Sequence, residues 1–254
     1  MIAQQTQPSF SDAARQNFIA SEGKAFLIAD WNASLFLHFE VSAEELARVM
    51  PFELDHWNGR AFVSLVAFSM ERMRLGRFSK WGEWLCQPIG AHEFLNVRTY
   101  VRHSGDSGIC FLTEWLPNRL SVFLGPHVYS LPYRHARIQY QHATTVMSGR
   151  VRDARNAFAY EALLGDEDFD TCEPDSLDEF LLERYVAFNC GNDGQSRRMF
   201  RVWHEPWAQV RALARVIDDS LLRSRFSWWS EAQLVGVNFS RGVREVWMGR
   251  PRKL

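Results

Sequence analysis

Runs of apolar and alternating residues along the chain predict many more strands than helices. Phe26 to Val41 indicates one or two strands, and Ala61 to Met70, which is apolar on both faces, is typical of a central strand. From Glu93 to Arg102 apolar and polar side chains alternate, as they do along a strand. Further strands are predicted at Ile109 to Trp115, Leu131 to Thr145, Met199 to His204 and Gln233 to Phe239. The chain is therefore expected to be mainly β, with a few peripheral helices.

Local signals predict two helices and leave some segments undecided. Ser42 with Glu45, and Ser176 with Glu179, are capping boxes that open helices. Asp153 to Leu164 is ambiguous between strand and helix, and 117–120 indicates a turn into a short segment. Residues 1–24 are polar and weakly periodic, which predicts a loose N-terminal arm or a short docking helix. No linker or repeat interrupts residues 25–254, so they are expected to form a single domain.

Composition and charge exclude several classes of partner. Charged residues make up 23% of the chain and the formal net charge is −1, so no overall field attracts nucleic acid or an anionic membrane. The four cysteines show no CxxC spacing, which favours reduced thiols in a cytoplasmic protein. The start of the chain has no apolar signal sequence, and no apolar run is long enough to span a membrane. The sequence leaves the oligomeric state open, a homo-oligomer included.

The residue types available for metal or amine chemistry are few. The eight histidines are scattered without ligand spacing, and there is no glycine-rich phosphate-binding motif, so neither a metal nor a cofactor is expected. Of the 29 basic residues only Lys24, Lys80 and Lys253 are lysines. Arginine stays protonated and forms no Schiff base, so a mechanism that needs an amine has three candidates.

Glu93 is the first candidate for chemistry, because it shares a strand face with Leu95, Val97 and Val101. A buried carboxylate has either a raised pKa or a charged partner, and both suit an acid or base. The alternative is a solvent-exposed edge position or an ion pair with an arginine.

Residues 125–135 hold a second group of candidates. In the strand after Pro132, Arg134 shares a face with Ala136 and Ile138, and an arginine among apolar neighbours suits a carboxylate ligand. The alternative is an interior salt bridge between Arg134 and Glu93 or another acid. His127, in the same segment, and Arg98, on the polar face of the Glu93 strand, complete the candidate anion-binding set.

Four short pieces of the chain resemble the YqjF-like family of uncharacterised conserved proteins. They are Glu93-Phe-Leu-Asn-Val-Arg-Thr-Tyr-Val101, Leu131-Pro-Tyr133, Phe180-Leu-Leu-Glu-Arg-Tyr185 and His204-Glu-Pro-Trp207. That family looks like a branch of the acetoacetate decarboxylase superfamily, which implies a cone or partly open antiparallel barrel with an interior pocket. When the lysine-containing segment of the decarboxylases is aligned without gaps with Gly125 to Ala136, their Schiff-base lysine falls on Tyr133 and its neighbouring lysine on Arg134. Their active-site glutamate falls on or next to Glu93.

The resemblance carries the fold and the pocket to this chain but not the reaction, since Tyr133 cannot form an imine. The expected function is to bind a small, anionic carboxylic or keto acid, or to transform it without a lysine. Arg134, His127 and Arg98 would hold the anion, with Glu93 as acid or base and Tyr133 as hydrogen-bond donor. Glu93 and Arg134 are expected to point into the pocket. The alternative is a non-catalytic structural or partner-binding module whose pocket is filled with aromatic side chains.

Overall fold

The computed structural model describes residues 10–76, 84–142, 144–191 and 196–254. Its strands are β1 Leu27–Val41, β2 Glu53–Leu54, β3 Ala61–Leu75, β4 His92–His103, β5 Asp106–Leu116, β6 Tyr133–His135, β7 Arg137–Gln141, β8 Val146–Arg152, β9 Ala157–Leu164, β10 Val186–Cys190, β11 Arg197–Trp203, β12 Gln209–Asp218, β13 Gln233–Met248 and β14 Arg252–Lys253. Its helices are α1 Phe10–Glu22, α2 Ala43–Val49, α3 Arg119–Tyr129, α4 Leu177–Leu182 and α5 Ser220–Arg223, with 3₁₀ turns at Gln87–Ile89 and Ser227–Glu231. The prediction of a mainly β chain with peripheral helices is confirmed.

Seven of the strands pair in a closed circuit. The order is β11, β10, β5, β4, β3, β1, β13, and the pairing of β13 with β11 returns to the start. The pairs in this circuit are antiparallel except β10 with β5, which are parallel. From β13 the sheet continues outward through β12, β9, β8 and β7. The circuit is called the ring below, and the continuation is called the outer sheet.

Both faces of the ring are buried, because side chains alternate between two separate cores. Leu35 and Leu37 of β1 and Leu95 of β4 pack outward against the outer sheet, where they meet Phe158 and Tyr160 of β9. The intervening residues, such as Phe36, Phe68 and Phe94, form the second core inside the ring. The alternation predicted for β4 is therefore correct, but neither of its faces is solvent-exposed.

The local signals in the sequence act as expected. The Ser42 hydroxyl accepts a hydrogen bond from the backbone N–H of Glu45, and the Ser176 hydroxyl accepts one from that of Glu179, at the starts of α2 and α4. Asn58 and Gly59 have φ values of 49° and 77°, as a tight turn before β3 requires.

The described part of the N-terminal segment is a docked helix, the second of the two forms expected for it. Phe18 of α1 is buried, and the Ser11 hydroxyl donates to the carbonyl oxygen of His204 at 2.8 Å. No helix among the described residues combines the length and the apolar composition that crossing a membrane requires.

The long strand predicted at Leu131 to Thr145 is wrong in one respect. It is two short strands, and they serve different parts of the fold: β6 pairs in parallel with β5, whereas β7 pairs with β8 in the outer sheet. The break between the two strands is at Ala136, which is buried and whose N–H donates to the carbonyl oxygen of Leu116.

Candidate functional site

The ring encloses a cavity of about 90 Å³, called the inner cavity below. Every strand of the ring contributes to its wall, and most of the lining side chains are aromatic or aliphatic. A single water molecule needs only about 10–15 Å³ on this measure, so the space is larger than one water requires. Its lining also includes Ser34, Asn96, Arg98, Glu114 and Trp207.

These five polar residues each carry a buried atom that has no hydrogen-bonding partner within the part of the chain that the structure describes. The atoms are Ser34 Oγ, Asn96 Oδ1, Arg98 Nε, Glu114 Oε1 and Trp207 Nε1, and they make up five of the nine such atoms found among the described residues. Buried polar groups in native proteins are almost always paired, so a concentration of unpaired ones around a single cavity requires an explanation. The set includes both donors and acceptors, as recognition of a polar ligand requires.

Of these five residues, Arg98 gives the strongest indication of the kind of ligand. It is 7% exposed, and among the described residues no carboxylate lies within ion-pair distance of it. Its Nη2 donates to the carbonyl oxygen of Leu181 at 3.0 Å, and its guanidinium lies 5.6 Å from the ring centre of Phe36. Neither contact neutralises the charge. Burying a cation without a counter-charge is costly, so the position favours an anion bound beside it.

The neighbouring arginine shows the contrast. Arg184 also lines the inner cavity, but its Nη1 lies 2.9 Å from Oδ2 of the buried Asp55. Its charge is thus balanced by the protein itself. Of the two described arginines that line the inner cavity, Arg98 is therefore the one whose charge an incoming anion can neutralise.

Glu114 supplies the second chemical group. Its carboxyl is 3% exposed, and burial raises its pKa well above the usual range. This shift favours the protonated carboxylic acid, which can donate one hydrogen bond and accept others. Burial, together with the nearby Glu114, also raises the pKa of Tyr133 well above the usual range, so that phenol keeps its proton.

An irregularity in β5 brings Glu114 to the inner face. Val97 pairs with Thr113 but Arg98 pairs with Phe111, so Leu112 is an extra residue in β5. Strict alternation would place Phe111 and Glu114 on opposite faces of the sheet. The bulge puts both on the inner face, with Glu114 opposite Asn96.

At the His204 wall of the inner cavity the protein offers neutral groups. Burial lowers the pKa of His204, so its imidazole is uncharged at neutral pH. Its Nδ1 lies 2.7 Å from the carbonyl oxygen of Glu205, and its ring packs 5.1 Å from that of Trp207. The Trp207 backbone N–H donates to Glu183, which leaves the indole N–H as the unpaired donor of this residue.

The structure separates the five residues that the sequence selected. Arg98 and Tyr133 line the inner cavity, whereas Glu93 and Arg134 are outside its lining, and the expectation that these two point inward is wrong. Glu93 lies on the outer face of β4, close enough to Tyr140 of β7 to raise that residue's pKa. Arg134 is exposed, because alternation along β6 directs it away from Tyr133 and no bulge intervenes. His127 is exposed on α3.

Four lining residues were not among the site residues predicted from the sequence: Glu114, Asn96, Ser34 and Trp207. The signal used for Glu93, a charged residue inside an apolar run, also marks Glu114 within Ile109 to Leu116. Because the bulge at Leu112 adds one residue to β5, simple alternation along the sequence assigns Glu114 to the wrong face of the strand.

The described residues offer no amine or metal site at the inner cavity. Lys24 and Lys253 are exposed, and Lys80 lies outside the described residues. No group of three or more His, Cys, Asp or Glu side chains able to hold a metal occurs in the part of the chain that the structure describes.

Solved structures with the same architecture are acetoacetate decarboxylases and related enzymes. The Legionella pneumophila acetoacetate decarboxylase matches with a TM-score of 0.62 and 12% identity, over 89% of this chain and 87% of that one. An acetoacetate decarboxylase-like enzyme from Sphingomonas wittichii RW1 gives a TM-score of 0.61 at 12% identity, over 90% and 94%. The enduracididine biosynthesis enzyme MppR, complexed with pyruvate, gives 0.61 at 12% identity, over 89% and 90%. The chain thus has the acetoacetate-decarboxylase-like fold, as the resemblance in its sequence implied.

Within that fold the sequence defines a narrower group. Residues 28–243 match the DUF2071 family, described as an uncharacterized conserved protein, and the chain belongs to this family. It is also 30% identical to the uncharacterized protein YqjF of Bacillus subtilis (strain 168) over 212 residues, which are 80% of this chain and 82% of the relative. The YqjF-like resemblance stated from the sequence is confirmed.

Proposed function

We propose that this protein binds a small carboxylic or keto acid in the inner cavity, with Arg98 holding the carboxylate. The observation that carries the proposal is the buried Arg98 guanidinium without an acidic partner among the described residues, at a wall where Asn96 and Ser34 also keep unpaired atoms. A planar guanidinium matches a carboxylate by two parallel hydrogen bonds. The sequence predicted that Arg134, His127 and Arg98 hold the anion, and of these three we now assign that role to Arg98.

The neutral groups of the cavity suit the rest of such a ligand. Glu114, held protonated by burial, and the phenol of Tyr133 can each donate a hydrogen bond to a carbonyl or enolate oxygen. Glu114 replaces Glu93 as our candidate acid. MppR, which shares the fold, is described in complex with pyruvate, a 2-oxo acid, and this supports the ligand class. Chemistry at this site would proceed without a Schiff base, because Tyr133 stands where the lysine of the decarboxylases falls. We place this activity in the cytoplasm.

The test is thermal unfolding of the purified protein against a panel of small 2-oxo and 2-hydroxy acids. A ligand at 100 times its Kd stabilises by about 2.7 kcal/mol, which for a domain of this size corresponds to a rise in Tm of roughly 5–10 °C. We expect this rise in the unchanged protein and its loss in Arg98→Gln. The matched control is Arg134→Gln, an exposed arginine on β6 that should keep the full rise.

Two results would contradict the proposal. A rise that persists in Arg98→Gln would place the anion elsewhere. No rise with any acid would favour the alternative from the sequence, a structural module with a filled interior. The cavity of about 90 Å³ and its unpaired polar atoms weigh against that alternative.

A further inference from the structure

A second pocket of about 380 Å³, partly open to solvent, adjoins the inner cavity, and we call it the apolar chamber. It lies between one end of the ring, helix α3 and the segment 85–89. Leu75, Leu85, Ile89, Leu124 and Val128 are among its aliphatic walls. It is about four times as large as the inner cavity on the same measure.

The chamber differs from the inner cavity in its polar groups. His92 and Ser121, which line it, lie within hydrogen-bonding distance of each other at 3.0 Å, and the Tyr129 hydroxyl donates to the carbonyl oxygen of Gly249 at 3.0 Å. None of the nine unpaired buried polar atoms of the described residues belongs to a residue that lines the chamber. The chamber therefore presents an apolar surface to whatever enters it.

The two spaces are separated by a thin wall of side chains that face both. The shared residues are Met70, Phe94, Leu131, Tyr133, Phe200 and Met248. Methionine is unbranched and has three rotatable bonds, so Met70 and Met248 can shift at modest cost to join the spaces. A molecule whose polar end lies at Arg98 would then extend past Tyr133 into the chamber.

We propose that the natural ligand is an amphipathic carboxylic acid, with its carboxylate at Arg98 and an apolar tail of several carbons in the apolar chamber. This inference rests on the proposed function and narrows its substrate class from compact acids to tailed ones. Among the described residues, the buried unpaired polar atoms that line either space all belong to the inner cavity, and the larger, apolar volume adjoins it. We call the region around Arg98 the head site and the apolar chamber the tail site.

The experiment measures Kd by calorimetry for straight-chain 2-oxo acids of increasing length. Burying one methylene group contributes enough free energy to tighten binding about fourfold, so Kd should fall by about that factor for each carbon added once the tail enters the chamber. A chain-length series that binds with one constant Kd overturns the tail site. If that constant binding is lost in Arg98→Gln, the head site and the proposed function stand.

Variants in α3 locate the tail. Leu124 lines the apolar chamber but not the inner cavity, so Leu124→Trp should abolish the gain with chain length and leave the shortest acids unaffected. Val128→Trp, on the same wall and 37% exposed, gives a second obstruction that the fold tolerates more easily. The control is Leu120→Trp, on the same helix, outside both linings and 45% exposed, which should bind every acid as the unchanged protein does.

The outcomes separate the two proposals. Loss of the length dependence in Leu124→Trp or Val128→Trp, but not in Leu120→Trp, supports the tail site. Length dependence that survives both obstructions overturns it. Failure of every acid to bind, short or long, overturns the proposed function and the tail site together. A long-chain alcohol that binds as tightly as the acid of equal length contradicts the head role of Arg98.

Discussion

Glu114 holds a carboxyl group inside the ring with no charged partner among the described residues, and burial raises its pKa. The folded protein keeps this proton to a higher pH than the unfolded chain does. Folding is therefore less favourable at pH values where the glutamate of the unfolded chain is already ionised. The free energy of unfolding should accordingly fall as pH rises above about 4.5, by up to about 1.4 kcal/mol per pH unit from this group.

The corresponding prediction is that Glu114→Gln becomes more stable relative to the unchanged protein as pH rises. Glutamine has nearly the same shape but no charge to bury, so the variant lacks this penalty. The difference in free energy of unfolding between the two proteins, measured with urea at pH 5, 6.5 and 8, should grow steadily across that range.

Glu40 provides the matched control. A hydrogen bond from Arg60 lowers the pKa of this half-buried carboxylate from its ordinary value of 4.5, so it is mostly ionised above pH 5 in both states. Glu40→Gln should therefore differ from the unchanged protein by a constant amount between pH 5 and 8. If Glu114→Gln behaves in the same way, its carboxyl is ionised in the folded protein, and its role as a proton donor is wrong.

For the individual residues of the site, the residue types predicted from the sequence are right, but some of the predicted positions are wrong. A buried acid and a buried arginine were predicted, but Glu93 and Arg134 were chosen alongside Arg98, and Glu114 was not. The reason is that both faces of β4 are buried, so an apolar face did not indicate the inside of the ring. The face of Glu114 depends on one extra residue, Leu112, that leaves no trace in the sequence pattern.

Among the secondary-structure elements, α3 matters most for the proposed tail site, since it forms one wall of the apolar chamber. Its first residue follows Asn118, whose Oδ1 accepts from the Ser121 backbone N–H at 3.0 Å. The same side chain donates from Nδ2 to the carbonyl oxygen of Pro88 at 2.7 Å. One asparagine thus caps the helix and ties it to the segment on the opposite side of the chamber.

We predict that Asn118→Ala lowers the free energy of unfolding by about 1–2 kcal/mol, because it removes both the cap and the tie. Asn118→Asp keeps the capping oxygen but loses the donor to Pro88, so it should lower the free energy of unfolding clearly less than Asn118→Ala does. Urea unfolding of the two variants measures the difference. Equal losses in both would show that the cap contributes nothing, and no loss in either would contradict both contacts.

Elements marked by local chemistry were predictable, and those determined by distant partners were not. The N-caps at Ser42 and Ser176 and the turn at Asn58-Gly59 each lie within four residues, and all three are confirmed. The carboxylate of Glu179 accepts from the backbone N–H of Asp175, so the second bond of that capping box is not formed. The segment after Asn118 was expected to be short, yet it forms an 11-residue helix. The split of the predicted strand at Ala136 follows from pairing with β5 on one side and β8 on the other, which no local signal encodes.

On the scale of the whole molecule, closure of the ring brings together strands that are far apart in the chain. Cys110 of β5 pairs with Phe188 of β10, and Met248 of β13 pairs with Val202 of β11. Single-strand periodicity gives no information on such partners, so the fold was predictable through the family resemblance and not through the pattern alone. The closed ring is what removes Arg98, Glu114 and several histidines from water.

Four buried histidines make the folded protein sensitive to acid. Burial lowers the pKa of His38 to about 3 and that of His92 to about 4, and it lowers the pKa of His142 and His204 as well. In the unfolded chain each histidine takes up a proton near pH 6.5. The unfolded state then binds more protons than the folded state, so stability falls as pH decreases below 6.5.

The last prediction is therefore a steep loss of stability between pH 6.5 and pH 5. Four histidines act in this direction and Glu114 acts against them, which leaves a fall of about 2–4 kcal/mol per pH unit near pH 5.5. Urea unfolding at constant ionic strength measures it. His92→Gln should reduce the slope by about 1 kcal/mol per pH unit, whereas His56→Gln, at an exposed position, should leave it unchanged. A stability that stays level from pH 7 to pH 5 would mean that these histidines are charged in the folded protein. In that case the interior would be far more accessible to water than the ring allows, and the case for an unpaired Arg98 as an anion site would weaken with it.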